Sequence, residues 1–302
     1  MKIWTLATLH TLGGSKAAIG INGKLFAVDA LEPLLTGTST KEMLQNWESF
    51  FARLDELADR VVHHEDLIAS GIPASKADLL TPIVYPDGLF AIGGNYSGHL
   101  KAMGMRVTKN GSMPFFIRPP RTSLVGPGDT VVIPKTTTQF DWECELAVFV
   151  GTTLKDASRQ EASAAVAGYA VGLDLSCRDL LKADNDFKVD LARGKAQDTL
   201  APCGPALMPA AFVADVNNLR IKLFVNDEKM MDGSTSEMIY KIDEQLSTIS
   251  KFMTVEAGSV LFTGSPSGSA AEHGNRWRQP GDRIHAEIEN VGALDVSLRQ
   301  NE

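Results

Sequence analysis

The chain has 302 residues, 44% of them hydrophobic and 22% charged, which is the makeup of an ordinary globular protein with length for one large or two ordinary domains. Its net charge of −8, with basic residues scattered rather than blocked, argues against a nucleic-acid partner, and no apolar run approaches the roughly 18 residues of a membrane span. Three cysteines, an odd and small count, point to a reducing compartment, read as the cytoplasm, and to no disulfide framework.

The opening MKIWTLATLHTLGG reads as a first strand, because His10 and two glycines interrupt what would otherwise be the apolar part of a secretion signal. Lys16 to Ala27 has the pattern of a β-hairpin with Asn22-Gly23 as its turn. From Ser39 to Val61 the apolar residues fall on one helical stripe, and Ser39 and Glu42 have the spacing of a capping box at its start. His63 and His64 close this region as exposed residues near a helix end. Residues 1–80 therefore read as a small N-terminal α+β domain. Two prolines and a glycine in TPIVYPDG, Thr81 to Gly88, mark its boundary with a second unit spanning 81–302.

That second unit is rich in short β-like runs, among them SLVGPGDTVVIP, WECELAVFVG, VAGYAVGLDL, LRIKLFVND, GSVLFTGSP and DRIHAEIE. Ser158 to Val166 and Ser236 to Met253 read as its helices. Strands outnumber helices and do not alternate with them, so a β-rich α+β fold is expected rather than a doubly wound one.

Five segments hold residues that could carry chemistry. In FAIGGNYSGHLKAMG, His99 follows a glycine-rich turn after an apolar strand; it is a possible general base or simply a polar residue starting a helix. In FDWECELAVFV, strand alternation puts Trp142, Cys144, Leu146, Val148 and Val150 on one face and Asp141, Glu143 and Glu145 on the other. Those carboxylates either face water or await a hard divalent cation. In VAGYAVGLDLSCRDL, Asp174 interrupts an apolar run with Arg178 four residues on, the spacing of a simple ion pair. Lys195 and Asp198 lie in RGKAQDTLAPCGP, which has little reason to be helix or strand. SVLFTGSPSG ends a strand in a turn of small residues and hydroxyls, including Thr263, that either presents N–H groups to an anion or is an ordinary corner.

In order and spacing, G-x-N-Y-x-x-H, F-I-R-P…L-V-G-P-G-D, E-x-E-L-A-V, V-A-G-Y…D-x-S-x-R-D, G-K-x-x-D-T…G-P and T-G-S-P-x-G…P-G-D resemble the fumarylacetoacetate hydrolase family over residues 84 to 297. The resemblance implies that family's rolled mixed β-sheet for the second unit and a homodimer. It implies Glu143, Glu145 and Asp174 as ligands of Mg²⁺ (or Mn²⁺ or Ca²⁺), leaving open positions for a small anionic 2-oxo acid that chelates through carboxylate and keto oxygens. Lys195 would hold the ligand shell or the developing oxyanion. Arg178 would orient an aspartate or the substrate, and Thr263 and Tyr96 would contact the substrate.

His99 matches the histidine that activates water in the family's C–C hydrolases. Two departures from the pattern bear on this. Position 102 is Ala102 where the acylpyruvase-like branch has a glutamate partner for that histidine, and Arg118 stands where relatives often have lysine. The leading expectation is metal-dependent hydrolysis of a C–C bond in a 2,4-dioxo acid, in the setting of aromatic or sugar-acid catabolism. The alternatives are decarboxylation, isomerisation or hydration of a 2-oxo acid at the same site, or a silent metal-binding scaffold. Loops Met103 to Met113 and Ala270 to Gln279 are expected to set the distal specificity. Cys144, Cys177 and Cys203 read as small buried hydrophobes. His273 and His285 receive no role.

Overall fold

A computed structural model describes residues 2–300 except 103, 105, 108, 110, 111, 185 and 187. The expected specificity loop Met103 to Met113 falls in good part outside the described residues. The fold is strand-rich, mixed α+β. It opens with a meander of β1 (Thr5–Thr11), β2 (Gly14–Ile21) and β3 (Lys24–Ala27). Asn22 and Gly23 both adopt positive φ, at 49° and 75°, which is what a two-residue hairpin turn matching the strand twist requires. Helices α1 (Thr40–Gln45) and α2 (Trp47–His63) follow. Ser39 and Glu42 form the expected capping box, but the single helix expected to Val61 is two. Asn46 leaves helical geometry and its side chain bonds back to Glu42, while the apolar stripe runs on across the break.

Next come β4 (Leu89–Ile92), α3 (Ser97–Ala102), β5 (Cys144–Val150), β6 (Val166–Leu173), α4 (Leu191–Lys195), β7 (Ala201–Pro209) and β8 (Val260–Phe262). They build one long sheet in the order Ile72–Pro73, β3, β2, β1, β7, β6, β5, β8, β4, Phe115–Ile117. Only β8 and β4 run parallel along this path; the other pairs are antiparallel. A second sheet stacks Glu228–Ser234, Arg220–Val225, Arg283–Ile288, Gly292–Gln300 and Thr130–Ile133.

The central strand β5 is buried along its whole length. Its two faces enter different cores, as strand alternation demands. Leu146, Val148 and Val150 pack with Ile221, Leu223 and Ile284 of the second sheet and with Leu246 and Ile249 of helix Ile242–Phe252. Ala147 and Phe149 pack with Leu54 and Leu57 of α2 and with Trp4 and Ile19. The helix expected from Ser236 begins only at Ile242, after a 3-10 turn at Thr235–Glu237. The stretch read as loop around Lys195 is partly regular: α4 carries the lysine and β7 follows, a strand that runs through Pro202 and Pro205 and ends at Pro209. Those prolines hid it, since proline ordinarily argues against a central strand.

Candidate functional site

The end of β4 leads through Gly93 and Gly94 to Asn95, Tyr96 and then α3, which holds His99 in the interior. Asn95 clamps this turn to the one after β8. Its amide nitrogen donates to Thr263 O at 2.7 Å and Tyr240 O at 3.1 Å, and its oxygen accepts from Tyr240 N at 2.9 Å. Gly264 sits at φ +92°, and a Cβ there would come 2.7 Å from that of Asn95, so only glycine lets the two turns meet.

Glu143 and Glu145 project from the start of β5 and just before it. β6 pairs with β5 through Cys144–Leu173 and Glu145–Gly172, and Asp174 N donates to Glu143 O at 2.9 Å as β6 ends. This register delivers the third carboxylate opposite the first. Oxygens of Glu143, Glu145 and Asp174 lie within 4.8 Å of one another, and all three residues are buried. The alternative of a strand with its acidic side in water is thereby ruled out.

Burying carboxylates is costly without partners. Lys195 Nζ donates to both Glu143 and Asp174. Arg118, fully buried, pairs with Asp174 and donates to Leu200 O at 2.8 Å. Arg178 donates to Asp141 Oδ2 and Glu143 Oε1, both at 2.7 Å. The ion pair suggested by the Asp174–Arg178 spacing does not form. Asp174 takes Arg118 and Lys195, and Arg178 turns to strand Phe140–Asp141, which pairs with Ser176–Cys177 directly before it. The planar guanidinium of Arg118 reaches a carboxylate and a carbonyl at once, which a lysine's point charge would not do in the same geometry.

These partners split the carboxylates. Burial pulls Glu143 upward, but Arg178, Lys195 and His99 outweigh it and hold its pKa well below the usual range. Glu145 goes the other way. Burial, then the Asp174 and Glu143 charges, push its pKa well above the usual value against the opposing pull of Lys195 and of the Gly264 N–H, which donates to it at 2.7 Å. Four buried carboxylates, counting Asp141, face three cations. The donor set thus fits a hard divalent ion: all-oxygen, converging, and short of positive charge at Glu145.

His99 Nε2 lies 3.4 Å from Glu143 Oε1, and Nδ1 lies 3.7 Å from Glu272 Oε1 with no hydrogen-bond partner. Glu272 belongs to the 3-10 turn Ala270–His273, where the same oxygen accepts from Gly268 N at 2.9 Å and Ser269 N at 3.1 Å. The sequence reading had no carboxylate for His99 beyond the vacant position 102, and it missed this one. The only signal was the S-x-x-E spacing of Ser269 and Glu272, which reads as a cap. It also passed over the role of Asp141.

Tyr96 is buried with its hydroxyl unpartnered, and burial, then the Glu145 charge, push its pKa well up. Thr263 is buried, with its hydroxyl donating to Leu146 O at 3.0 Å. Asp198 is exposed, in the turn that follows α4. The three cysteines are buried and free, and burial raises Cys177 to about 12. A groove of about 880 Å³ lies elsewhere, between the Asn22-Gly23 turn, Pro127–Asp129 and Gly292–Ala293. Among the described residues no helix is long and apolar enough to cross a membrane.

Residues 88–299 match the family described as Fumarylacetoacetate (FAA) hydrolase C-terminal. The chain is 33% identical over 281 residues to the mitochondrial oxaloacetate tautomerase FAHD2B of Homo sapiens, covering 91% of this chain and 84% of that one. It is 32% identical over 279 residues to the oxaloacetate tautomerase YisK of Bacillus subtilis, covering 91% and 89%. Among solved structures, maleylpyruvate hydrolase from Sphingobium, in complex with manganese(II) and pyruvate, superposes with a TM-score of 0.76 at 26% identity, covering 99% of this chain and all of that one.

Proposed function

The chain belongs to the fumarylacetoacetate hydrolase family, and we propose that within it this protein is an enzyme that interconverts the enol and keto forms of a 2-oxo dicarboxylic acid of the oxaloacetate class. The observation that carries the reading is the placement of His99, one ring nitrogen toward the acidic cluster and the other toward Glu272. Tautomerisation conserves atoms. The enol loses its O–H proton and gains one at C3, so it needs a proton carrier beside a place where negative charge on the 2-oxygen is tolerated, and no nucleophilic water. The names of the tautomerase relatives point the same way.

Glu143, Glu145 and Asp174 would hold Mg²⁺, Mn²⁺ or Ca²⁺, which when bound supplies Lewis acidity toward the substrate's carboxylate and 2-oxygen. The chain's own residues do the rest. His99 takes the enol proton and returns one at C3, with Glu272 orienting its ring. Lys195 holds Glu143 and Asp174 in register and offers positive charge to the anion. Arg178 fixes the Glu143 carboxylate through Nη2. Tyr96, with its unpartnered hydroxyl, donates to the substrate. Thr263 joins by turning its hydroxyl from Leu146 to the carboxylate. A homodimer working in the cytoplasm completes the proposal.

Following loss of enol absorbance of freshly dissolved oxaloacetate, with Mn²⁺ or with EDTA, tests it. We expect acceleration over the spontaneous rate that EDTA removes and metal restores, and a spontaneous rate in all conditions would refute it. Hydrolysis of a C–C bond in a 2,4-dioxo acid is the second reading. Glu272 favours it, because it gives His99 the carboxylate that water activation needs and that Ala102 does not supply. Acylpyruvates in the same assay separate the two.

A further inference from the structure

Six residues, the proton carrier His99 among them, close a ring. Asp141 is fully buried yet is none of the three ligand carboxylates. Its Oδ2 accepts from Arg178 Nε at 2.7 Å, and Arg178 Nη2 reaches Glu143 Oε1 at 2.7 Å. The same Glu143 oxygen lies 3.4 Å from His99 Nε2, and His99 Nδ1 lies 3.7 Å from Glu272 Oε1. Glu272 stands in the turn that begins at Ala270, and Ala270 N donates to Asp141 Oδ1 at 2.8 Å. Asp141 is thus where the circuit returns: one carboxylate holds both the arginine that aims Glu143 and the turn that aims Glu272.

We propose that Asp141 is a positioning residue that sets His99 between Glu143 and Glu272. The inference rests on the proton-transfer reading of His99 above. A buried aspartate in a fold is often there only for its hydrogen bonds, and loss of such a residue would show as lost stability and a generally damaged site. Positioning predicts something narrower. Moving the Glu272 turn away from His99 misplaces the imidazole without touching the oxygens that would bind the ion, so turnover falls while substrate and metal binding persist. Misplacement of a supporting group by a fraction of an ångström typically costs on the order of 10-fold or more in rate.

Two variants reach Asp141 from opposite sides. Asp141→Asn keeps an oxygen for Ala270 N but sets an amide N–H₂ against Arg178 Nε. Ala270→Pro deletes the N–H that Asp141 receives and sets the ring Cδ against Oδ1, which parts the turn from Asp141 and leaves Arg178 alone. Ala270 is the first residue of its turn, a position that accepts proline, and the preceding Ser269 has φ −65° and ψ 165°, the geometry a residue before proline prefers. In the full-length protein with Mn²⁺, we expect both variants to lose about 10-fold in kcat on the 2-oxo acid that the parent turns over. KM and Mn²⁺ affinity by calorimetry should stay within about twofold in Ala270→Pro, which leaves the Arg178–Glu143 bond in place. Hydrogen exchange across residues 266–273 should quicken in both.

An unchanged kcat, or in Ala270→Pro a loss shared equally by KM or Mn²⁺ affinity, overturns the proposal. If the parent turns over no 2-oxo acid, the functional reading fails by itself. The two variants then decide the anchoring alone: faster exchange in that turn at unaltered Mn²⁺ affinity supports it, and unaltered exchange overturns it.

Discussion

Replacing Lys195 by methionine removes the charge and keeps most of the side-chain volume. In this structure Lys195 is buried and its ammonium is shared by Glu143 and Asp174. Arg118 still pairs with Asp174 and Arg178 with Glu143, so each carboxylate keeps one partner. Leaving a buried ion cluster short of a charge costs about 3–5 kcal/mol. For 302 residues the unfolding entropy is about 0.6 kcal/mol per kelvin, so Tm should fall by roughly 5–8 °C in EDTA. A divalent ion at the same oxygens replaces the missing charge. Mn²⁺ at 100 times its Kd stabilises by about 2.7 kcal/mol in the parent, and by more in the variant, whose site is more negative and binds the ion more tightly. Differential scanning calorimetry of both proteins with EDTA and with Mn²⁺ checks this. The gap in Tm should shrink by half or more on adding metal. A gap below about 2 °C in EDTA would show that the lysine offsets no buried charge. An equal gap in both conditions would show that ammonium and metal do not share these carboxylates, and the assignment of the centre would fall.

Glu145→Gln should abolish Mn²⁺ binding by calorimetry yet raise Tm in EDTA, because it removes a carboxylate whose charged form burial and the neighbouring Asp174 and Glu143 charges disfavour. The same shift sets a pH dependence. A group whose folded pKa is raised favours the folded state at low pH and loses that advantage as pH rises through the folded value, so Glu145 makes the metal-free protein less stable on the alkaline side. Mn²⁺, which needs the proton gone, should bind more weakly as pH falls through that range, with protons released on binding. Gly194→Ala should destabilise by about 1–2 kcal/mol in thermal unfolding. The new Cβ would lie 2.3 Å from Leu181 Cδ2 and 3.1 Å from its Cα, and overpacking outweighs the helix propensity gained. Turnover should fall with it, since Lys195 is the next residue. His99→Ala should collapse enol–keto conversion and hydrolysis alike while leaving metal-promoted decarboxylation of oxaloacetate largely intact, measured as CO₂ release.

The acidic centre was legible because it obeys a local rule. Alternation on one strand put Glu143 and Glu145 together and Cys144 opposite them, and the structure keeps that division through two separate cores. The Asn22-Gly23 turn and the Ser39 cap were legible for the same reason: each is written in a few consecutive residues. What pairs with what across the fold was not. Arg178 is four residues from Asp174, yet it bonds Asp141, because two short strands, Phe140–Asp141 and Ser176–Cys177, bring those residues side by side. The break at Asn46 was hidden because the apolar stripe ignores it, and β7 because its prolines argue against a strand that its neighbours nonetheless pair on both sides.

Glu272 shows why a vacant motif position need not mean a missing group. The glutamate expected one helical turn after His99 would have reached the imidazole from the same helix. Here the carboxylate approaches from the turn after β8, and the oxygen that faces His99 Nδ1 is the one that caps that turn by accepting from Gly268 and Ser269. One oxygen therefore answers to two demands. The cap fixes Glu272 only while the turn is folded, and the turn is held to the site through Ala270 and Asp141. A partner on α3 would follow His99 wherever that helix went. A partner on a separate turn makes the orientation of His99 depend on the docking of residues 264–273, so anything that loosens that turn should reach proton transfer before it reaches the three carboxylates.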